Sequence, residues 1–119
     1  MVAYKDITFR DAVILYKKLM ECDILSSQNE YSFSLLVKIH YNLSQLASAI
    51  NMYEDNRKNL EIQYGEDSDE YKRHNDELLD EKYNIGISMV ELYEAQSFNF
   101  TYDTIKRIYF MINIGTVVE

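Results

Sequence analysis

The side chains that do most chemistry in small proteins are sparse in this chain: one cysteine, Cys22, and two histidines, His40 and His74. A metal site would need them at ligand spacing, and no pair stands as Cys-x2-Cys or His-x3-His. His74 and Glu77 lie one helical turn apart, and with Asp76 and Asp80 they could hold a cation. A solvated helix face accounts for the same residues more simply. Cys22 as a nucleophile would need a histidine beside it, but it falls near the end of the first predicted helix and reads as a small buried apolar residue. Carboxylates are plentiful, yet none sits in an apolar setting that would retune it for acid–base work. Glycine occurs only at 65, 86 and 115, so no glycine-rich phosphate loop can form. These residues therefore predict a protein without enzyme activity, with no catalytic residue, metal ligand or cofactor.

Charge is the more informative chemistry. The chain carries a net −8. Segment 54–81 holds eleven acids against four bases, Arg57, Lys58, Lys72 and Arg73, and so accounts for −7 of it. That balance argues against direct binding to nucleic acid, whose backbone needs a basic footprint. Within the segment Glu66, Asp67, Asp69 and Glu70 cluster at a predicted turn, flanked by Tyr64 and Tyr71. Tyrosine beside carboxylates suits a protein-binding surface, because the ring is a stiff amphipathic anchor. These six residues are the candidate partner-binding site. The carboxylates would meet a basic surface, such as the nucleic-acid groove of another protein, whose phosphate ligand they would imitate. The competing expectation is that the acids merely cap the helix that follows.

The element that positions this cluster is one long amphipathic helix, predicted from Ser27 to Gly65. Ser27 and Glu30 form a capping box. Apolar positions recur at Leu36, Ile39, Leu43, Leu46, Ile50, Tyr53, Leu60 and Tyr64, alternating three and four, with Arg57 interrupting the register. Leu35 and Val37 widen the stripe. Gly65 supplies the C-terminal cap. Such a helix is roughly 55 Å long, so it must be flanked along its length or find another chain. If its covering helices are shorter, Tyr53, Arg57, Leu60 and Tyr64 would be left to contact a second copy, and a homodimer is an expectation on that ground. The alternative is a third helix that folds back over this end.

Around it, residues 2–7 suit a short strand. Thr8, with Asp11 three residues on, caps a first helix from Phe9 to about Glu21. Phe9, Ala12, Val13, Tyr16, Leu19 and Met20 share a face, and Ile14 and Leu15 extend it, which predicts a well-buried helix. Asp67 or Ser68 caps a third helix with a thin apolar face of Tyr71, Leu78 and Leu79. Ile85, Ile87 and Met89 then alternate with Gly86, Ser88 and Val90, which is strand spacing. A strand over 84–92 must pair with residues 2–7 or with Phe98–Phe100. Thr101 caps a last helix, 102–114, with Tyr102, Ile105, Ile108, Tyr109 and Ile112 inward, Gly115 ending it and Thr116 to Glu119 forming a loose tail. The sum is a single domain over 1–119, mainly α (α+β): an antiparallel helical core around 28–64 with a small two-stranded β element. No signal peptide and no membrane span is visible. The triplets Asn42-Leu43-Ser44 and Asn99-Phe100-Thr101 therefore read as chance matches to a glycosylation pattern.

In its order of segments the chain resembles a family of small phage and prophage proteins of uncharacterised function. The likeness lies in Ile7 to Leu19 (Ile-Thr-Phe-Arg-Asp-Ala-Val-Ile-Leu-Tyr-Lys-Lys-Leu), in the long helix ending Tyr64-Gly65-Glu66, and in Asn75-Asp76-Glu77-Leu78-Leu79 leading to Ile85-Gly86-Ile87. It covers most of the chain and brings no catalytic residue with it. It implies a viral or mobile-element source and a role exercised by binding a host or phage protein. The leading expectation is an inhibitor of a host process such as antiviral defence, in the host cytoplasm. A virion structural or assembly component is the alternative, and an acidic nucleic-acid mimic the third.

Overall fold

The computed structural model describes residues 2–26 and 31–114. The molecule extends 51 × 36 × 21 Å. Its long axis is matched by helix α2, Phe33–Tyr64, whose 32 residues rise about 48 Å. The expected capping box at Ser27 and Glu30 lies outside the described residues. The helix starts later, where Ser32 Oγ accepts from the Leu35 N–H at 3.2 Å. It ends at Gly65, which takes φ 83° and is the only described residue with positive φ. That conformation admits glycine readily and strains any residue with a Cβ.

The buried stripe of α2 differs in phase from the expected one. Fully or nearly enclosed are Leu35, Ile39, Asn42, Leu43, Leu46, Ala49 and Tyr53, whereas Leu36 and Ile50 are half-buried. Ile39, Leu43, Leu46 and Tyr53 are buried as expected, but Leu35, Asn42 and Ala49 join them while Leu36 and Ile50 turn to the rim, so the stripe is shifted towards the Asn42 side. The reason is what packs there. Strand β2 (Lys82–Ser88) lies along this side of α2, and its outer edge is closed by side chains of the helix. The Asn42 amide donates to the Ser88 carbonyl at 3.0 Å, and its oxygen accepts from the Ser88 N–H at 2.6 Å. Gln45 Oε1 accepts from the Gly86 N–H at 3.1 Å. A polar residue thus takes a core position because it does for β2 what a neighbouring strand would do. Gly86 permits the approach, since a Cβ there would stand 3.0 Å from both Tyr41 Oη and Val2 Cγ1.

The other edge of β2 pairs antiparallel with β1, Val2–Thr8, in the register Val2↔Ser88 to Thr8↔Lys82. This is the pairing with residues 2–7. β1 runs straight into helix α1, Phe9–Met20, capped by Thr8 Oγ1 on the Asp11 N–H at 3.0 Å. Phe9, Ala12 and Leu19 are buried, but Val13, Ile14 and Met20 are exposed. So α1 buries one narrow face and is not enclosed. A 3-10 turn at Asp23–Leu25 places Ile24 in the core. Helix α3, Asp69–Leu79, folds back along the end of α2, with Ser68 as its cap rather than Asp67. Tyr71 and Leu78 are its buried residues.

Past Ser88 the chain departs from expectation. The strand predicted over 84–92 breaks at Met89. Val90–Glu91 (β3) joins a separate two-stranded sheet, parallel to Ile112–Asn113 (β4), and Leu92–Gln96 forms a short helix, α4. Helix α5, Tyr102–Ile108, capped by Thr101, stops two turns into the predicted 102–114 span and passes through a 3-10 turn at Tyr109–Met111 into β4. Tyr102, Ile105 and Tyr109 are exposed while Ile108 and Ile112 are buried. The run Ile108 to Ile114 is rich in β-branched and aromatic residues, which favour a strand, and β3 supplies the partner. Gly115 and the tail to Glu119 lie outside the described residues. The architecture is a mainly α (α+β) fold built on one long helix with an antiparallel hairpin sheet against it.

Candidate protein-binding surface

The acidic cluster sits at the tip of an arm made by the end of α2 and by α3. Its turn is locally fixed. Ser68 Oγ donates to the Gly65 carbonyl at 2.9 Å and accepts from the Tyr71 N–H at 3.0 Å. Glu66, Asp67, Asp69 and Glu70 are all exposed. None of the four carboxylates takes an ion pair or a side-chain hydrogen bond among the described residues. Asp69 and Glu70 occupy the first turn of α3, where the helix dipole favours them.

The two tyrosines proposed to flank the cluster serve the arm itself. Tyr71 is 8% exposed, with its hydroxyl turned to Arg57. Tyr64 is half-buried and stacks on His74, centroids 4.7 Å apart and planes at 15°. Neither ring is presented as a free anchor, because the closing of α3 on α2 covers both. The four residues expected at a self-contact are engaged in the same way. Tyr53 is buried and donates to Asn75 Oδ1 at 2.8 Å. Arg57 donates to Glu54 at 2.7 Å, to Glu61 at 3.0 Å and to the Tyr71 hydroxyl at 3.2 Å. Leu60 is half-buried and packs against the core. Helix α3 therefore occupies the place that a second copy was expected to take.

Electrostatics reinforce this arm. The hydrogen bonds from Arg57 to Tyr71 and Glu54 raise its pKa still further above the ordinary arginine value. Burial lifts the Tyr53 hydroxyl above its usual value, partly offset by the bond to Asn75. At the other end of the molecule Arg107 ties α5 to α1 through Glu21 and the Lys18 carbonyl, and its bond to Asp103 holds that carboxyl below its ordinary range.

Cys22, His40 and His74 lie on separate elements. Cys22 is buried at the end of α1, and burial pushes its thiol up, away from the reactive thiolate. His40 is exposed on α2, and His74 on α3 meets Glu77 at 3.1 Å. Among the described residues no three metal-ligating side chains stand together, and no helix is long and apolar enough to cross a membrane.

Two surfaces escaped the sequence reading. An apolar hollow of about 220 Å³ opens among Leu92, Phe98, Phe100, Ile105, Ile112 and Ile114. It could take an apolar group, and among the described residues its lining holds no carboxylate, lysine, arginine or histidine. Its walls come from α4, the connection through Phe98 and Phe100, α5 and the β4 end, so only the tertiary fold assembles it. The second is the outer face of α2 from Phe33 to Met52, opposite the core stripe. Its i, i+4, i+7 spacing at Phe33, Val37 and His40 was legible in the sequence, but the stronger inner stripe masked it. Comparison with family models, curated proteins and solved structures finds no match to the chain.

Proposed function

We propose that this chain is a non-enzymatic, phage-type protein of the host cytoplasm that works by binding another protein, as an inhibitor of a host process such as antiviral defence. The observation that carries the reading is the arm tip: four exposed carboxylates that take no side-chain partner among the described residues, on a turn pinned by Ser68 to the Gly65 carbonyl and the Tyr71 N–H. Packing like charges so closely disfavours the compact state, and binding a basic surface would offset that. The partner surface is one that ordinarily receives phosphates. Long-range attraction between the acidic arm and such a surface speeds encounter more than it adds affinity.

A virion or assembly role is the second reading, favoured by the uncharged outer face of α2, which suits a repeated contact. Capture on the immobilised chain separates the two. A specific host protein, retained at low salt and absent when purified capsid and tail proteins are offered instead, supports the inhibitor. Retention of virion proteins alone supports the assembly component and refutes the inhibitor.

A further inference from the structure

In a chain of net −8, one cleft is lined mainly by cations. It measures about 250 Å³ and forms where α5 packs on the end of α1. Among the described residues its lining is Lys18, Lys106 and Arg107 with a single carboxylate, Asp103. Arg107 is the fixed member, its side chain only 24% exposed. Its Nε donates to Asp103 at 2.8 Å, and its Nη1 reaches the Lys18 carbonyl at 3.3 Å and Glu21 at 3.4 Å. A guanidinium carries five N–H donors, so the two on Nη2 are left over among the described residues. Lys18 and Lys106 are exposed. The Lys18 ammonium takes no partner among the described residues, and that of Lys106 has only the Tyr102 ring, 5.1 Å from its centroid.

We infer that this cleft binds a phosphate dianion, free or as the head of a monoester. Charge and donor number both select it. A cleft lined mainly by one sign of charge concentrates ions of the other sign, and the arginine fork matches phosphate oxygens. Two charges and at least three oxygens suit one guanidinium and two ammoniums. A carboxylate brings one charge and two oxygens, which leaves a cation unanswered. Asp103 and Glu21 are taken up by Nε and Nη1, where they hold the guanidinium in place. Their charge also subtracts from the attraction, so the dissociation constant is on the order of 1 mM. The lining offers no apolar residue to grip the organic part of an ester, so recognition ends at the phosphate. The cleft shares no residue with the arm tip, and either reading can fail alone.

Isothermal titration at fixed ionic strength tests it, with inorganic phosphate, glycerol 3-phosphate and acetate as probes. Both phosphates should bind and acetate should not. Equal affinity for the two phosphates confirms that recognition ends at the phosphate. Tighter binding of glycerol 3-phosphate keeps the site and assigns it to the ester. In NMR the Arg107 Nε–H signal should move as phosphate is added. The double variant Lys18→Gln, Lys106→Gln should bind phosphate about tenfold more weakly or worse. Its thermal melt without ligand should match that of the wild-type chain, because neither ammonium ties one element to another. Three results would each overturn the site: no binding up to about 10 mM phosphate, acetate binding as tightly as phosphate, or a double variant that binds phosphate like the wild-type chain.

Discussion

Asn42 is the residue whose role departs furthest from its type. It is wholly buried, spends its amide on both backbone groups of Ser88, and also points Nδ2 at the Met111 sulfur at 3.4 Å. A neutral hydrogen bond is worth about 1 kcal/mol net, but a buried group left unpaired costs more. Asn42→Leu should therefore destabilise by about 1–3 kcal/mol in urea unfolding, while Ser44→Ala on the exposed face stays near zero. Equal effects would mean that the edge of β2 is satisfied in some other way. Tyr53 gives a pH test. Its folded pKa is raised from 10.0 chiefly by burial, so the folded state keeps the proton longer than the unfolded chain does. Stability is then intact below pH 10 and falls as pH rises through that value. Tyr53→Phe should flatten this alkaline loss and, by removing the bond to Asn75, lower stability at neutral pH by about 0.5–1.5 kcal/mol.

Among the elements, α2 decides the architecture, and mutation reads its phase. Leu35→Ala and Leu46→Ala should each lose about 2–5 kcal/mol, being fully buried. Leu36→Ala and Ile50→Ala should lose clearly less in the same thermal melts. The reverse order would restore the stripe through Leu36, Leu43 and Ile50. At the end of the helix Gly65→Ala must take an unfavourable positive φ and should cost about 1–3 kcal/mol. Legibility followed locality. Thr8, Ser68 and Thr101 announce their helices because a cap and its N–H lie within three residues, and Gly65 announces an end for the same reason. The strand around Ile85–Ile87 was readable from alternation, while its partner stayed open between residues 2–7 and Phe98–Phe100, because the pairing with β1 joins segments about eighty residues apart. The phase of α2 was not readable, because apolar residues at Leu36, Leu43 and Ile50 outrank a row through Leu35 that must pass Asn42 and Ala49, and only the position of β2 favours the second row. Nor was the break at Met89, since Val90 pairs with Ile112, a contact no local window contains. The four carboxylates of the tip were visible in the sequence, while the covering of Tyr64 and Tyr71 depends on how α3 closes.

At the scale of the whole molecule, charge is divided. The core packs against the first two-thirds of α2, where the outer surface is uncharged. The remaining third and α3 form an arm, and with Asp80 and Glu81 just after it this segment, 54–81, carries −7 of the net −8. A partner drawn to the arm should be drawn by field. The central claim is that the tip binds a basic protein surface. The most direct measurement is the affinity of a captured partner for the wild-type chain and for the quadruple variant Glu66→Lys, Asp67→Lys, Asp69→Lys and Glu70→Lys, each across a salt series. Exposed charges lose their attraction as the Debye length shrinks from about 10 Å at 0.1 M salt to about 3 Å at 1 M. The wild-type complex should weaken steadily over that range, and the variant should bind poorly throughout with little response to salt. Equal affinity and equal salt dependence for the two chains would contradict the account and leave the four carboxylates as the cap of α3.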